Sequence, residues 1–387
     1  MTTTADIVVI GGGVHGASLA FHLASAKPGK VILLEKNYVA SGQTGKSGAM
    51  IRPMFTEAAY IQLVLQAIGM FERWDDSVGG DAGYVQRGFL RITESVDPDI
   101  LAADLELMKG LGVAYEVLSA EELRRRVPTA VFEDREMGVF VPKGGYADPI
   151  LTTATLASAA RRLGAEVHEG VQVTGLRLEN GRIEAVETNH GCISTRVVVN
   201  CGGGWGNRIA AMVGIQLPIE VHRTPTCLFR CPEDMNSDGP IFSDGTNRVY
   251  MRTMDETLLR VAHFGWVPDP ADPESYDETV GRNQVNALRS AVERRYAGMR
   301  RTVFLGAFSA VYDMTPDGHP LIGSFPQVEG FWCNCGWSGN GFASAPAIGN
   351  CLAQQVLREK SAVDISVFEW PRRSHVKERP DLKWVYR

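Results

Sequence analysis

The sequence predicts an α/β protein whose first unit is built on a parallel sheet, and three observations support this. Residues 7–10 form a short run of β-branched residues, of the kind that makes a buried parallel strand. Gly11, Gly13 and Gly16 follow this run in the pattern G-x-G-x-x-G. A second apolar run at residues 31–34 ends in Glu35, nineteen residues after Gly16. Strand, glycines, helix, strand and acid in this order predict a dinucleotide-binding unit.

Each glycine of this pattern has a physical task. Gly11 permits a tight turn, and Gly13 lets a pyrophosphate approach the backbone. Gly16 lets the following helix, expected at residues 17–26, pack against the strand. The start of that helix offers N–H groups and a positive dipole end to phosphate. Glu35 is placed to accept hydrogen bonds from an adenosine ribose and would repel a 2′-phosphate, so FAD or NAD is favoured over NADP.

The composition of the whole chain excludes several classes of protein. At 387 residues the chain is long enough for two intertwined domains, and its net charge of −6 argues against a nucleic-acid partner. The basic run 124–126 follows Glu121 and Glu122 on a predicted helix, which indicates a paired, solvated surface. Seven cysteines without metal-ligand spacing predict reduced thiols in a cytoplasmic protein. Because a strand begins at residue 7 and no apolar run reaches about 18 residues, we expect neither a signal peptide nor a membrane segment.

Further glycine-rich stretches follow along the chain. Residues 40–49 are small and glycine-rich, as is needed where the backbone passes close to a flat ligand, and Arg52 follows them. Residues 197–206 repeat the pattern of a buried strand running into glycines, which predicts a return to the dinucleotide unit. Residues 331–342 end in a glycine loop ahead of a helix, a second candidate anion site. The other predicted elements are helices at 57–74, 98–110, 120–126, 148–163, 280–296 and 345–359, and strands at 83–93, 138–142, 167–178, 182–188, 217–264 and 302–312.

Six stretches, taken together and in this order, resemble one family. They are the opening fingerprint, residues 42–49, Asp148-Pro149, residues 199–205, residues 315–323 and residues 336–342. The chain resembles the D-amino-acid-oxidase family of flavoenzymes, most closely its sarcosine oxidase, glycine oxidase and dimethylglycine dehydrogenase branch. The resemblance implies an α/β fold in which a Rossmann-like FAD-binding domain of the glutathione-reductase type is interleaved with a mixed β-sheet substrate domain. It assigns residues 1–80, 145–215 and 315–360 to the FAD-binding domain, 81–144 and 216–314 to the substrate-binding domain, and 361–387 to a C-terminal tail.

The resemblance also implies a set of cofactor-binding residues along an extended FAD. At the pyrophosphate they are Gly11, Gly13, Val14, His15 and Gly16, with Glu35 at the ribose and Val173 near the adenine. Along the phosphates and flavin they are Gly42, Gln43, Thr44, Lys46, Ser47 and Gly48, and at the pyrimidine edge Gly339, Asn340, Gly341 and Phe342. Lys36, Gly202 and Trp205 complete the set. Two departures from the family pattern matter. Lys46 stands where some members tether flavin through a histidine, and Ala310 stands where others use a cysteine. We therefore expect FAD to be bound non-covalently.

The resemblance implies oxidation of a C–N bond, in which an amine or amino acid loses a hydride to flavin N5 and becomes an imine. Arg52 matches a carboxylate-binding arginine, and Tyr312 is expected to form a wall facing the flavin. Tyr250 and His263 lie on alternating strands and are either site residues or ordinary sheet residues. Arg260 falls near a lysine that activates oxygen in sarcosine oxidase, so an arginine there makes a dehydrogenase plausible. A second basic residue of that enzyme is replaced by Ala343, which leaves the substrate open among N-substituted, cyclic and D-amino acids.

Two other interpretations stay open at this point. The first is an NAD-dependent dehydrogenase, which would not need the motif at residues 336–342. The second is a flavin-bearing subunit of a hetero-oligomeric dehydrogenase, which would pass electrons to a partner instead of to O₂.

Overall fold

The computed structural model describes residues 3–94, 98–263 and 269–372. The α-helices found there are α1 (Val14–Ala26), α2 (Ala58–Phe71), α3 (Trp74–Ser77), α4 (Pro98–Gly110), α5 (Ala120–Arg126), α6 (Pro149–Arg162), α7 (Gly206–Ala211), α8 (Arg282–Glu293) and α9 (Ala345–Val356). The strands found there are β1 (Thr3–Thr4), β2 (Ile7–Ile10), β3 (Val31–Leu34), β4 (Met50–Ile51), β5 (Val85–Gln86), β6 (Phe89–Thr93), β7 (Glu116–Leu118), β8 (Met137–Val141), β9 (Gly145–Tyr146), β10 (Glu166–His168), β11 (Val173–Glu179), β12 (Arg182–Thr188), β13 (Gly191–Ser194), β14 (Val198–Asn200), β15 (Glu220–Arg230), β16 (Ile241–Asp244), β17 (Val249–Thr253), β18 (Leu258–His263), β19 (Phe304–Met314), β20 (Leu321–Ser324) and β21 (Phe331–Cys335).

A six-stranded sheet in the order β10-β3-β2-β14-β21-β20 carries the opening fingerprint. Its neighbouring strands run parallel except β20, which is antiparallel to β21. All four residues of β2 are buried, because parallel strands covered on both faces leave no side for polar residues. Val8 of β2 pairs with Ile32 on one side and Val198 on the other. This pairing confirms that the chain returns to the first sheet after residue 197.

Helix α1 packs against both α6 and α9 over one face of this sheet. Helix α1 begins at Val14, three residues earlier than residue 17, because Gly13 takes the extended conformation of an N-cap. Asp148 caps α6 by accepting hydrogen bonds from Ile150 N (2.8 Å) and Leu151 N (2.9 Å). The α5 helix begins with a capping box of Ser119 and Glu122.

An eight-stranded sheet in the order β19-β15-β18-β17-β16-β6-β8-β7 forms the second layer. Its pairs are antiparallel except β16 with β6, so the sheet is mixed. One face packs on α8 through a core that includes Phe229, Met251 and Leu288. The strands of the two large sheets come from the chain segments expected for the two domains, although the domain boundaries themselves stay a prediction.

Several expected elements are shorter or divided. The strand expected at 83–93 becomes β5 and β6, because Gly88 has a φ of +76° and lies against the Phe140 ring. The strand expected at 167–178 also divides, since β10 joins the six-stranded sheet while β11 pairs with β12. The turn between β11 and β12 holds Asn180 and Gly181 at positive φ, as its sequence predicts. The expected tail at 361–387 reaches into residues 373–387, and the strands expected at 217–264 end at residue 264; both of these parts lie outside the described residues.

Three expectations from composition can be compared with the structure. All seven cysteines are unpaired, and five of them are buried. The run 124–126 forms ion pairs, including Arg124 with Asp134 and Arg126 with Glu116, so it is a paired surface. Among the described residues, no helix has both the length and the apolar character needed to cross a membrane.

Candidate functional site

A cavity of about 560 Å³ lies against the carboxyl ends of β2 and β3 and extends to one face of the eight-stranded sheet. Its volume is within the range of small-molecule and cofactor sites. Of the residues expected at a site, Gly16 is absent from its lining. The others all line it, namely Gly11, Gly13, Val14, His15, Glu35, Lys36, Gly42, Gln43, Thr44, Lys46, Ser47, Gly48, Arg52, Val173, Gly202, Trp205, Tyr250, Arg260, His263, Tyr312, Gly339, Asn340, Gly341 and Phe342.

The fingerprint loop is formed by backbone in close contact. Gly11 has a φ of +108°, and a Cβ there would lie 2.5 Å from the carbonyl oxygen of Cys201. A Cβ on Gly16 would lie 1.9 Å from the carbonyl oxygen of Gly11. Gly16 therefore packs the helix against the turn and does not face the cavity, which is the task its position predicts.

Glu35 closes the far side of this loop. Its Oε2 accepts a hydrogen bond from Gly12 N (2.7 Å), and its Oε1 accepts one from Asn37 N (2.8 Å). The carboxylate thus lies at the cavity wall with an orientation held by two backbone donors. Such a carboxylate can still accept hydrogen bonds from a diol, since each oxygen has two lone pairs.

Two side chains of the small-residue loop tie the cavity wall together. Thr44 Oγ1 accepts a hydrogen bond from Val14 N (3.1 Å) at the start of α1. Gln43 Oε1 accepts one from Gly204 N (2.9 Å), and Gln43 Nε2 donates to the carbonyl of Val311 (3.0 Å). Gln43 therefore bridges a loop of the six-stranded sheet and the edge strand of the eight-stranded sheet.

His15 lies in the wall beside the glycine loop before α9. Its ring stacks on Trp337 with centroids 4.3 Å apart, and a Cβ on Gly341 would lie 2.5 Å from its Nε2. Burial lowers the pKa of His15 to about 3, so the ring is neutral at pH 7. Its Nδ1 has no hydrogen-bond partner among the described residues, and so the wall holds one polar atom ready for a ligand.

The substrate end of the cavity contains Arg52. Its Nη2 donates to Asn340 Oδ1 (3.0 Å), and its guanidinium lies 4.9 Å from the Phe55 ring centroid and 5.5 Å from that of Phe89. These contacts orient the planar group at the edge of the cavity, where it can bind a carboxylate.

Two tyrosines form the opposite wall of this end. Tyr312 on β19 and Tyr250 on β17 are hydrogen-bonded to each other, and burial together with this neighbour raises the pKa of Tyr312 well above its ordinary value. A Cβ on Gly339 would lie 3.0 Å from the Tyr312 ring, so this ring packs against the loop before α9. The Tyr312 phenol therefore stays protonated at neutral pH and acts as a hydrogen-bond donor or an apolar wall, not as a base.

His263 lies at the end of β18 and lines the same cavity. Burial, with the nearby charge of Arg248, lowers the pKa of His263, so the neutral imidazole dominates at pH 7. A neutral imidazole can accept a proton, unlike the protonated Tyr312 phenol.

Arg260 faces the cavity from the middle of β18. Its Nη2 donates to the carbonyl of Lys46 and to Thr226 Oγ1 (3.4 Å). The position expected to activate oxygen is therefore held by an arginine that contacts the loop carrying Lys46.

Sequence reasoning missed an acidic segment, residues 272–278, that crosses the cavity. Glu274 accepts hydrogen bonds from Lys36 Nζ (2.7 Å) and Trp205 Nε1 (2.5 Å), and Glu278 pairs with Lys46. Both lysines expected to contact the cofactor are thus neutralised by this segment. The signal in the sequence is a run with four acids, but its position opposite the lysines depends on the fold.

Asp313 is a second residue that the sequence did not indicate. It is buried directly after Tyr312 and accepts hydrogen bonds from Gly336 N (2.7 Å) and Gln43 Nε2 (3.3 Å). Burial raises the pKa of its carboxyl group. Asp313 joins the two loops that lie on either side of the cavity.

The residues present fit an extended dinucleotide that ends in a flat ring. A glycine loop and the start of α1 offer backbone to a pyrophosphate, and Glu35 is placed for a ribose. His15 Nδ1 offers an unpartnered polar atom further along the wall. Among the described residues no cluster of metal-ligating side chains is found.

The chain is similar to proteins of known sequence and structure. The model of the family DAO, FAD dependent oxidoreductase, matches residues 6–355. Mitochondrial sarcosine dehydrogenase of Mus musculus is 26% identical over 400 residues, which cover 100% of this chain and 43% of that protein. Sarcosine oxidase subunit beta of Rhizobium meliloti is 27% identical over 91% of this chain and 84% of its own length. L-proline dehydrogenase from P. horikoshii superposes with a TM-score of 0.86 at 25% identity, covering 95% of this chain and 97% of that one. This chain thus spans less than half the length of the sarcosine dehydrogenases that it matches.

Proposed function

Because this chain belongs to the FAD dependent oxidoreductase family, we propose that it oxidises the C–N bond of an amino acid. FAD is the cofactor of the family, which decides between the two dinucleotides that the fingerprint left open. The substrate class is a secondary or primary amine with a carboxylate, such as an N-substituted, cyclic or D-amino acid. The relatives named for sarcosine and L-proline support this class.

The observation that carries the proposal is the position of Arg52. Its guanidinium is oriented by Asn340 at the edge of the cavity that also holds the Tyr250 and Tyr312 wall. A carboxylate bound in two places by Arg52 would fix the α-carbon of the substrate within this end of the cavity. Bound FAD supplies the chemistry, since it accepts a hydride from the α-carbon.

The other residues at this end bind the amine and exclude water. The rings of Tyr312 and Phe89 provide the apolar surface against which a substrate is desolvated. We assign to His263 the uptake of the proton that an ammonium substrate must lose before oxidation, because its neutral imidazole lines the same cavity. Tyr312 holds its proton throughout.

The test is a comparison of an amino acid with the amine that lacks its carboxylate. A charge-assisted hydrogen bond contributes about 1.5–3 kcal/mol, so Arg52→Ala should lower kcat/KM for the amino acid by about ten- to a hundredfold. Arg52→Lys should also be damaging, because the planar fork is lost while the charge stays. The decarboxylated amine should be nearly indifferent to both changes.

Arg87→Ala is the matched control, because Arg87 pairs with exposed Asp238 and does not line the cavity. It should leave both substrates unaffected. Equal losses for acid and amine in Arg52→Ala, at unchanged FAD content, would overturn the amino-acid assignment and favour a plain amine.

We also propose that FAD is bound without a covalent bond. Lys46 Nζ is engaged by Tyr276 and Glu278, and Ala310 at the other tether position has no nucleophile. Acid precipitation should therefore leave all yellow colour in the supernatant. Colour that stays in the pellet would contradict this proposal.

The electron acceptor is O₂ or a partner protein. Arg260 in place of an oxygen-activating lysine favours an acceptor other than O₂, and the relative named as a beta subunit supports a hetero-oligomer as the alternative. Hydrogen peroxide release by the isolated chain, compared with reduction of an artificial dye, separates the two. The unpaired cysteines support a cytoplasmic location.

A further inference from the structure

The loop at residues 46–48 lines the cavity, but two arginines of the eight-stranded sheet hold it in place. Arg252 Nε on β17 donates to the carbonyl of Gly48 (2.8 Å). Arg260 Nη2 on β18 donates to the carbonyl of Lys46. The two residues are paired across β17 and β18, so neighbouring positions of the sheet donate hydrogen bonds to two carbonyls of one short loop.

The two arginines are buried and lie next to each other on the sheet. Each is 5% exposed, and among the described residues neither forms an ion pair with a carboxylate. Their guanidiniums lie over aromatic rings, Arg252 at 4.1 Å from the Tyr146 centroid and Arg260 at 5.3 Å from that of Phe308. Burial and the neighbouring Arg260 lower the pKa of Arg252 to about 10, which still leaves it charged at neutral pH.

A buried charge without a directly paired counter-ion is costly unless something stabilises it. Here the partial negative charges of loop carbonyls provide part of that stabilisation, and Arg260 Nε has no partner among the described residues. Gly48 itself is pressed against this patch, since a Cβ there would lie 3.4 Å from the Tyr250 ring and 3.7 Å from Arg260 Nε. Arg252 therefore lies behind the stretch of backbone that faces the cavity, and Arg260 lies beside that stretch in the cavity wall.

We propose that Arg252 and Arg260 are positioning residues that clamp the loop 46–48 against bound FAD and raise the reduction potential of its flavin. The inference rests on the proposed function in one respect, namely that the flavin ring lies beside this loop. Two-electron reduction adds negative charge to the ring system, so nearby positive charge favours the reduced form. The clamp orders the loop, and its charge sets the potential.

The experiment uses the purified holoenzyme and two measurements that need no substrate. The first is the rate at which FAD is released, followed by the fluorescence of free FAD. The second is the flavin reduction potential, measured by equilibration with a reference dye. Arg252→Met and Arg260→Met remove both the hydrogen bonds and the charge, whereas Arg252→Lys and Arg260→Lys keep the charge and lose the planar fork.

We expect each Met variant to release FAD about ten- to a hundredfold faster and to have a more negative potential. Each Lys variant should release FAD faster than the natural protein while its potential stays close to the original value. Arg289→Met is the matched control, because Arg289 also donates to a backbone carbonyl, that of Thr302 (2.9 Å), over a phenylalanine ring, but does not line the cavity. The control should change neither quantity.

Unchanged FAD release and potential in the Met variants would overturn the inference. So would an equal acceleration of FAD release in Arg289→Met, because the effect would then be a general loss of stability. If a Met variant does not fold, the Lys variants decide: a potential that falls with the charge retained contradicts the role of charge. Failure of every amino acid to reduce the flavin, with these results intact, would remove the proposed function and leave the clamp.

Discussion

The two ends of the cavity are built in different ways. At the fingerprint end, the wall includes the backbone of the glycine loop, whose shape requires that Gly11 and Gly16 lack side chains, since a Cβ on either would overlap a carbonyl oxygen. At the substrate end, side chains from separate strands form the wall, including Tyr250 on β17, Arg260 on β18 and Tyr312 on β19. A wall of backbone depends on which residues lack side chains, whereas a wall of side chains depends on which strands become neighbours. The first kind of site can be recognised from residues that are close in sequence, and the second kind cannot.

This difference between the two ends of the cavity predicts where substitutions are tolerated. At the fingerprint end a single added methyl group collides with the main chain, which cannot move without distorting the sheet. At the substrate end a changed side chain alters chemistry and leaves the sheet intact, because its strands are held by backbone hydrogen bonds to their neighbours.

The largest effect that tests this comparison is expected for Gly11→Ala. The new Cβ would meet Cys201 O at 2.5 Å, at a φ of +108°. We expect the purified protein to contain almost no FAD and to unfold at a clearly lower temperature, measured by flavin absorbance and thermal denaturation.

Gly112→Ala is the control that separates the strain of a positive φ from the steric overlap of the new Cβ in Gly11→Ala. Gly112 also has a positive φ of +79°, but no atom lies within 4 Å of its Cβ position. This variant should lose only about 1 kcal/mol of unfolding free energy and keep its FAD. A full complement of FAD in Gly11→Ala would mean that the tight turn is not required for binding.

A smaller effect is expected for Glu35→Ala, the side chain on which the fingerprint end depends. Loss of its hydrogen bonds to a ribose should weaken FAD affinity by about ten- to a hundredfold, with the fold retained. The measurement is titration of FAD into the apoprotein, followed by quenching of flavin fluorescence.

Glu169→Ala provides a matched control for this change. Glu169 accepts a hydrogen bond from Val39 N (2.7 Å) in a neighbouring loop but does not line the cavity. It should bind FAD as the natural protein does. Equal affinities in the two variants would show that Glu35 serves only to hold Gly12 and Asn37.

The smallest expected effect is a change in the pH dependence of the unfolding free energy, caused by a histidine in the layer of the six-stranded sheet. His319 is buried just before β20, neither ring nitrogen has a hydrogen-bond partner among the described residues, and burial lowers its pKa to about 4. In the unfolded chain the imidazole of His319 binds a proton near pH 6.5, whereas in the folded protein it does so only near pH 4. The free energy of unfolding is therefore highest above pH 6.5 and decreases as the pH falls toward 4. Between pH 7 and 5.5 this amounts to about 1 kcal/mol of unfolding free energy.

His319→Phe should therefore reduce the difference in unfolding free energy between pH 7 and pH 5.5 by that amount, measured with urea. Exposed His190 is the control, and His190→Phe should leave the difference unchanged. An unchanged difference in His319→Phe would show that this ring does not titrate between the folded and unfolded states.

The sequence-based predictions were accurate for features that depend on neighbouring residues and missed features that depend on contacts distant in sequence. Helix α6 with its Asp148 cap and the turn at Asn180-Gly181 depend on interactions within a few residues, and both were predicted. Asp313 and Arg252 were missed, because neither has a local pattern that marks it. Asp313 acquires its role from Gln43 and Gly336, which are distant in sequence.

What the sequence by itself determined is the parallel strand, the glycine turn and the acid at Glu35, together with the family to which the chain belongs. These features depend on short-range geometry, where the presence or absence of a Cβ decides what the backbone can do. Only the tertiary structure decided that Lys46 pairs with Glu278 and that Arg252 and Arg260 grip the loop at residues 46–48. These contacts join segments about two hundred residues apart. Strand pairing decides which side chains share a face of the sheet. That pairing depends on the energy of the whole chain and not on the sequence of any one segment.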